Sequence, residues 1–302
     1  MPLSGRRQLP YSIVTLMDIS YAQALVTGLI QGITELFPVS SLGHAVLVPA
    51  WIGGAWSKFT TDPQSPYLTV TIALHFASAL ALLLVFRKRW IGLIGAGAQS
   101  LRRRHTFEST VFWRIVLATI PVGALGFIFE KKLRELFSNP LASASFLTIN
   151  GLILIIAERN SRRSVSVVTI DAEDHQIVER VSPTVALSIG FAQALALFAG
   201  ISRFGIAMSA GLFRGLSHRT ASDFAFLLAL PVILAASVLK LPELFTHKNA
   251  HLLGPILAGS ITSFIFTYAS VTFLVRWFKT RTLYPFAIYC LVFGVASLIR
   301  FA

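Results

Sequence analysis

The sequence predicts an all-α polytopic membrane protein, with about six transmembrane helices plus two re-entrant broken-helix segments in an inverted-topology internal repeat. Three observations carry this prediction. The 302 residues are 55% hydrophobic and only 13% charged, with a mean hydropathy of +0.71, which leaves too little charge to cover a soluble domain of this size. Six apolar runs have the length of a membrane span. Two shorter, Gly/Pro-interrupted apolar segments match each other at a shift of 162 residues. Ala24-Leu25 falls on Ala186-Leu187, Gly28 on Gly190, Gln31 on Gln193, Ser40 on Ser202 and Gly43 on Gly205. Broken segments at corresponding positions of two halves point to a binding site where the repeats meet.

The chain reads as a single membrane domain, 1–302, with repeat half one at 20–157, a cytoplasmic loop at 158–183 and half two at 184–302. Arg6-Arg7 and the short run from Tyr11 to Met17 give a faint signal-peptide outline, but Asp18 interrupts it and a cleavage there would begin the chain at its key segment. The first broken segment follows. Residues 57–68, with Asp62, Pro63 and Pro66, read as a polar loop. Span one runs from Leu68 to Phe86 and ends at Arg87-Lys88-Arg89, and residues 90–110 read as a basic connection. Span two covers Val111 to Phe129, a mixed-charge turn follows to Pro140, and span three covers Leu141 to Ala157. In the 158–183 excursion, β-branched Ser164 to Ile170 and Gln176 to Val181 flank a turn-like Asp171 to Asp174, so a small hairpin or an open solvated loop fits equally. The second broken segment covers 184–213, and spans follow at about 223–240, 252–275 and 283–300.

A net charge of +13 can signal nucleic acid, but here the basic residues lie in short loops between apolar spans, so topology explains them and no nucleic-acid partner is expected. The loops 87–110, 158–183, 214–222 and 276–282 share one side and hold 15 of the 26 Lys and Arg; the other side holds 9. The positive-inside rule puts the first set in the cytoplasm. Both termini and the opening of the first broken segment then lie outside. The single Cys290 permits no internal disulfide and reads as packing. Gly28 and Gly32 form a GxxxG packing pattern. His75, apolar-flanked on span one, reads as a satisfied or pore-facing histidine.

Glu35 is the acidic residue that the pattern buries in an apolar segment, and an ionisable group at membrane depth marks a site. Gln31 stands four residues earlier on the same helical face, and Ser40, Ser41 and His44 follow the break at Pro38. In the second copy, Ser202-Arg203 lies between Gly200 and Gly205, glycines that let backbone N–H groups approach an anion. Arg suits phosphate because its planar fork matches the oxygens and stays charged. A hydroxyl that can attack, a His or Glu that can move protons and a cation that can steady an oxyanion form a set for phosphate-ester or anhydride hydrolysis.

Gln31-Gly-Ile-Thr-Glu35, Pro38-Val-Ser-Ser-Leu-Gly-His44 and Gly200-Ile-Ser-Arg-Phe-Gly205 resemble the signature motifs of the undecaprenyl-diphosphate phosphatase family, bacterial membrane enzymes of the bacitracin-resistance type. The likeness extends through Asp223 to Pro231 and runs over most of the chain. It implies removal of the terminal phosphate from undecaprenyl diphosphate, which recycles the lipid carrier of peptidoglycan synthesis. It also implies a divalent cation (Mg or Ca), a homodimer and a multi-pass place in the bacterial cell membrane, with the active site extracytoplasmic. By position, Ser41 would be the nucleophile and His44 its proton partner. Glu35 with Gln31 would orient or activate that pair, Glu35 and His44 are candidate metal ligands, and Arg203 with Ser202, Ser40, Gly200 and Gly205 would hold the diphosphate. Three positions depart from the family's second motif: Ala199 stands for Pro, Phe204 for Ser and Ala207 for Thr. Another lipid-phosphatase signature, Ser-Arg-x5-His-x3-Asp, fails because its histidine would fall at Ser209. The rival from a different class is a transporter or flippase for a polyprenyl phosphate, which shares the broken-helix architecture but has little need of Ser41 and His44 beside Glu35.

Overall fold

A computed structural model describes residues 19–62, 65–102, 105–137, 139–161, 177, 180–245 and 247–302. The N-terminal stretch through Asp18 and most of the 158–183 excursion, hairpin or loop, lie outside those residues. In order the helices are α1 (Tyr21–Thr34), α2 (Ser41–Ile52), α3 (Gly54–Thr61), α4 (Tyr67–Ser100), α5 (Phe107–Phe137), α6 (Pro140–Ser161), α7 (Pro183–Ala192), α8 (Arg203–Phe213), α9 (His218–Lys240), α10 (Leu253–Trp277) and α11 (Tyr284–Phe301). Short 3₁₀ turns follow α7 (Gln193–Leu197) and α9 (Leu241–Phe245 and His247–Leu252). No strand occurs among the described residues. Six helices, α4, α5, α6, α9, α10 and α11, are long and apolar enough to cross a membrane. They are the six runs expected; α1–α2 and α7–α8 are the two interrupted segments.

Serine hydroxyls set several starts. Ser20 and Gln23 form a capping box at α1, and Ser182, Ser202 and Ser217 each accept an N–H two or three residues into α7, α8 and α9. Three connections are shorter than the sequence suggests. The chain expected to loop at 57–68 is helical through Thr61 as α3. The basic connection at 90–110 is mostly helix, since α4 bends at Phe86 (φ −98°, ψ 15°) and continues to Ser100. Arg and Lys are good helix formers, and Trp90, Leu93, Gly97 and Ser100 recur at helical spacing to give this extension a buried face. That face docks on α5: Trp113 Nε1 donates to Ser100 Oγ at 2.9 Å, and Gly97 lies against the Phe112 ring. The mixed-charge stretch after Phe129 likewise stays helical, as the end of α5 through Phe137.

Small residues bring the helices together. On α1, a Cβ added at Gly28 would strike the carbonyl of Gly259, and one at Gly32 would come within 2.7 Å of Ser263 O on α10. On α7, a Cβ at Gly190 would strike the Ala118 carbonyl of α5. The first helix of each half therefore leans on the middle span of the other. α6 and α11 pack through Gly151 and Gly294, whose added Cβ atoms would meet Ala287 O at 3.0 Å and Thr148 N at 2.9 Å. Between α4 and α10, Ser78 Oγ accepts from Thr267 Oγ1 at 2.9 Å and lies 3.0 Å from Ser263 Oγ, which donates to Leu74 O at 3.1 Å. Hydroxyl contacts of this kind hold membrane helices where lipid offers no competing apolar drive. The main core gathers Leu82, Ile115, Leu147, Leu154, Phe204, Phe224 and Phe226 from five helices. α4 and α9 are the most enclosed spans.

Gly28→Val should lower the unfolding temperature in detergent by an amount corresponding to about 1–3 kcal/mol of overpacking, whereas Gly92→Ala, in the α4 extension with nothing within 4 Å of an added Cβ, should raise it by about 0.5–1 kcal/mol. Equal melting of the two variants would refute this account of α1–α10 packing.

Candidate active site

The two interruptions meet back to back. An added Cβ at Gly43, early in α2, would lie 2.9 Å from Gly200 Cα; one at Gly205, early in α8, would lie 3.1 Å from Pro38 Cβ. These are corresponding positions of the two copies: Gly43 with Gly205, and Pro38 with Gly200. The caps correspond as well, since Ser40 Oγ accepts from Gly43 N (3.2 Å) and Ser202 Oγ from Gly205 N (3.1 Å). Gly200 has φ 117°, and a Cβ there would come within 2.5 Å of Ser143 O. Only glycine fits such a turn in such a space.

Broken backbone buried inside the protein must find partners for its N–H and C=O groups there. Asn150, buried on α6, supplies two of them: Nδ2 donates to Pro38 O at 3.0 Å and Oδ1 accepts from Ser202 N at 3.0 Å. Cys290 packs alongside, its Sγ 3.4 Å from Asn150 Nδ2 and 3.7 Å from Pro38 O. Ser202 Oγ donates to Phe37 O at 3.2 Å, and Ser40 Oγ accepts from Gly200 N at 3.1 Å. Ser40 is the one positive-φ residue other than glycine among the described residues (φ 69°, ψ 102°). Four hydrogen bonds hold it in this costly conformation, which turns Ser41 into the cavity.

That cavity is lined by Glu35, Ser41, His75 and Arg203, with Ser40, Ser202 and the apolar Leu42, Ala196 and Ile201 around them. Glu35, at the C-terminal end of α1, is buried. Its Oε2 accepts from Gln31 Nε2 at 2.8 Å and from the Ser41 hydroxyl, and His75 Nε2 lies 3.2 Å away. Arg203, the first residue of α8, contributes the opposite charge, and its Nη1 is buried without a partner. The N-termini of α2 and α8 both line the cavity. Dipole ends from two helices make it a place for an anion.

The structure thus brings together Gln31, Glu35, Ser40, Ser41, Ser202 and Arg203, with Gly200 and Gly205 as the turns beneath them. It turns His44 elsewhere. His44 Nδ1 faces Ser40 O at 2.7 Å and Nε2 meets Tyr289 Oη at 2.7 Å, with the ring stacked on Tyr289 at 10°. Both nitrogens are engaged, so His44 braces the Ser40 turn and is placed neither to move the Ser41 proton nor to bind a metal. His75 holds the position beside Glu35 instead. It was legible as an ionisable residue within a span, but no motif marks it.

Residues 24–296 match the family described as bacitracin resistance protein BacA. The chain belongs to this family. The undecaprenyl-diphosphatase of Mycolicibacterium paratuberculosis is 47% identical over 299 residues, covering 94% of this chain and 98% of that protein. Undecaprenyl-diphosphatase 2 of Frankia alni is 43% identical, covering 94% and 99%, and undecaprenyl-diphosphatase 2 of Chromobacterium violaceum is 40% identical, covering 92% and 97%.

The three departures from the family's second motif lie outside the cavity lining. Phe204 is buried between Phe226 (ring centroids 4.5 Å) and Phe278 (5.6 Å), Ala207 is buried in the same core, and Ala199 packs with Ala45, Val46 and Phe59. A second buried acid, Glu158, sits at the far end of α6, where the sequence suggests a loop. Its Oε2 accepts from Leu283 N at 3.0 Å and faces His218 Nε2 at 2.7 Å, tying three spans together. Among the described residues no group of three or more His, Cys, Asp and Glu side chains is arranged for a metal ion. The cavity does offer oxygen donors suited to a hard cation, the Glu35 carboxylate and the hydroxyls of Ser40, Ser41 and Ser202. One carboxylate with neutral oxygens fits Mg or Ca when phosphate oxygens complete the shell.

Asn150→Ala should strand Pro38 O and Ser202 N at about 1–3 kcal/mol for each group, read as a fall in unfolding temperature accompanied by loss of phosphatase turnover. A variant that melts and turns over as the parent does would remove Asn150 from this role.

Proposed function

We propose that the chain hydrolyses undecaprenyl diphosphate to undecaprenyl phosphate and inorganic phosphate, recycling the lipid carrier for cell-wall synthesis. The observation that carries this reading is the Ser41 hydroxyl donating to buried Glu35 in a cavity shared with the unpartnered Arg203 nitrogen, within a family whose relatives are named undecaprenyl-diphosphatases. A lipid transporter has no use for a hydroxyl presented to a buried carboxylate.

The residues divide the work. Ser41 Oγ bonds to the terminal phosphorus as the bond from that phosphorus to the bridging oxygen breaks. The lipid monophosphate leaves with the electron pair while the Ser41 proton passes to Glu35, which Gln31 holds in place. A water oxygen then bonds to phosphorus as the phosphorus–Oγ bond breaks, Oγ regains its proton and inorganic phosphate leaves. Arg203 and the N–H groups opening α2 and α8 face the phosphoryl oxygens, and their orientation is fixed before the substrate arrives. His44 and Tyr289 keep the Ser40 turn that aims Ser41. A divalent cation held by the Glu35 carboxylate together with the phosphate oxygens of the substrate would neutralise diphosphate charge. The excess of Lys and Arg in the loops 87–110, 158–183, 214–222 and 276–282 supports an orientation in which the cavity serves the extracytoplasmic side of a bacterial cell membrane, with the two halves as an inverted repeat around it.

Phosphate release from a polyprenyl diphosphate by the purified protein in detergent tests the reading. Ser41→Ala should lower turnover by at least about 10³-fold. Arg203→Lys should lower it by about 10²-fold, because an ammonium cannot reproduce the planar fork. EDTA should reduce release and added Mg or Ca restore it. Unchanged release by Ser41→Ala would dismiss Ser41 as nucleophile.

A further inference from the structure

The cavity beside Glu35 and Arg203 has an empty volume of about 260 Å³. Sites that enclose a whole drug-sized ligand measure about 300–1,000 Å³. A diphosphate fits within it, but a chain of many isoprene units does not, so the chain has to run out over part of the lining. The apolar lining is Leu42, Ala196 and Ile201, and these side chains lead to different places. Leu42 packs into a closed core in which Val46 and Phe59 are buried. Ala196 and Ile201 belong instead to a small separate cluster with Ile206, whose other members, Phe146, Ile153, Ala192 and Phe198, are only partly buried. This cluster runs from the cavity to the outside of the protein. On one side of it stands α6, where Phe146, Ile149 and Ile153 recur at helical spacing. On the other stands the 3₁₀ turn Gln193–Leu197. The rings of Phe146 and Phe198 stack between the two, 4.7 Å apart at 23°. Nearby in sequence on each element, Ile149 and Leu195 are each 44% exposed, so both sides of the path carry apolar surface to the outside.

We propose that the prenyl chain of the substrate leaves the cavity over Ala196 and Ile201 and passes between α6 and the 3₁₀ turn at the Phe146–Phe198 pair, with Ala196 as a specificity-determining residue. This assignment rests on the hydrolase reading and adds to it the route of the chain. Methyl-branched isoprene units suit a path walled by aromatic rings and branched aliphatic side chains, because each unit that enters it is removed from water. One stretch of backbone then handles both parts of the substrate: Ala196 and Ile201 meet the first units of the chain, and Arg203, two residues on, faces the diphosphate. Alanine at 196 is what keeps the way open. A larger side chain there would stand between the cavity and the two rings. Selection by chain length therefore acts over the units that lie along this path, and the remainder of the chain lies beyond Ile149 and Leu195, where the protein does not enclose it.

Photolabelling tests the route without turnover. Ser41→Ala protein in detergent is irradiated with a polyprenyl diphosphate that carries a diazirine on its second isoprene unit, with and without excess unmodified polyprenyl diphosphate. Label that the competitor removes should map to residues 146–153 or 192–198. Competed label confined to α2, α3 or α10 would overturn the route and leave the hydrolase reading standing. Absence of competed label would overturn it as well, and phosphate release by the parent protein, scored separately, tells whether the hydrolase reading falls with it. Ala196→Phe gives a second readout. The ratio of kcat/KM for polyprenyl diphosphate to that for dimethylallyl diphosphate, which has a single unit, should fall by at least about 10-fold. Thermal unfolding checks that the variant is folded, with Ala196→Leu as the alternative should the phenylalanine variant melt early. An unchanged ratio in a folded variant would remove Ala196 from this role.

Discussion

A carboxylate and two interrupted backbones are buried among apolar helices, where unpaired polar groups are costly, and the surrounding structure answers that constraint. Four of the N–H and C=O groups at the breaks find partners within the protein: Pro38 O and Ser202 N on Asn150, Phe37 O on Ser202 Oγ, and Gly200 N on Ser40 Oγ. Buried away from water, such bonds are close to obligatory. They also fix the site, because the groups that satisfy the backbone are the same groups that aim Ser41 and Arg203. Stability and positioning cannot be separated here. The left-handed Ser40 is the clearest case: its conformation is costly, four hydrogen bonds hold it, and the hydroxyl next in sequence is delivered to Glu35.

Packing supplies the rigidity behind the site. α1 brings Glu35 by lying directly on α10 through Gly28 and Gly32, and α6 brings Asn150 by lying on α11 through Gly151. Close approach of this sort depends on side chains that are absent, so a single added methyl group would shift a helix axis and with it a cavity-lining group. Phe204, Phe226 and Phe278 do the converse beneath α8, filling space so that Arg203 starts from a fixed turn. A large aromatic at position 204 therefore works from below the cavity and takes no phosphate-binding position within it.

Much of this was legible in the sequence. The six spans follow from apolar length, and the two breaks from Pro38 and Gly200 inside otherwise apolar runs. The pairing of Gln31 with Glu35 follows from a four-residue spacing on one helix face. What escaped depended on tertiary placement. Arg87-Lys88-Arg89 looks like the end of a helix, yet α4 continues because the face through Trp90 and Ser100 finds α5. His44 and His75 each sit in apolar surroundings, and local pattern carries no information about which ring points toward Glu35. Glu158 looked like a loop residue because its partners, His218 and Leu283, lie 60 and 125 positions away in the chain.

The contact of Gly43 with Gly200, matched by that of Gly205 with Pro38, has an evolutionary corollary. Two separate half-length chains could form the same crossing, but identical halves would have to carry identical residues at both turns. Position 35 is Glu where its counterpart 197 is Leu, and position 203 is Arg where its counterpart 41 is Ser. A symmetric pair would present two acids or none, and two cations or none. Joining the copies in one polypeptide frees each turn to mutate alone, so that one half can carry the buried acid while the other carries the buried cation.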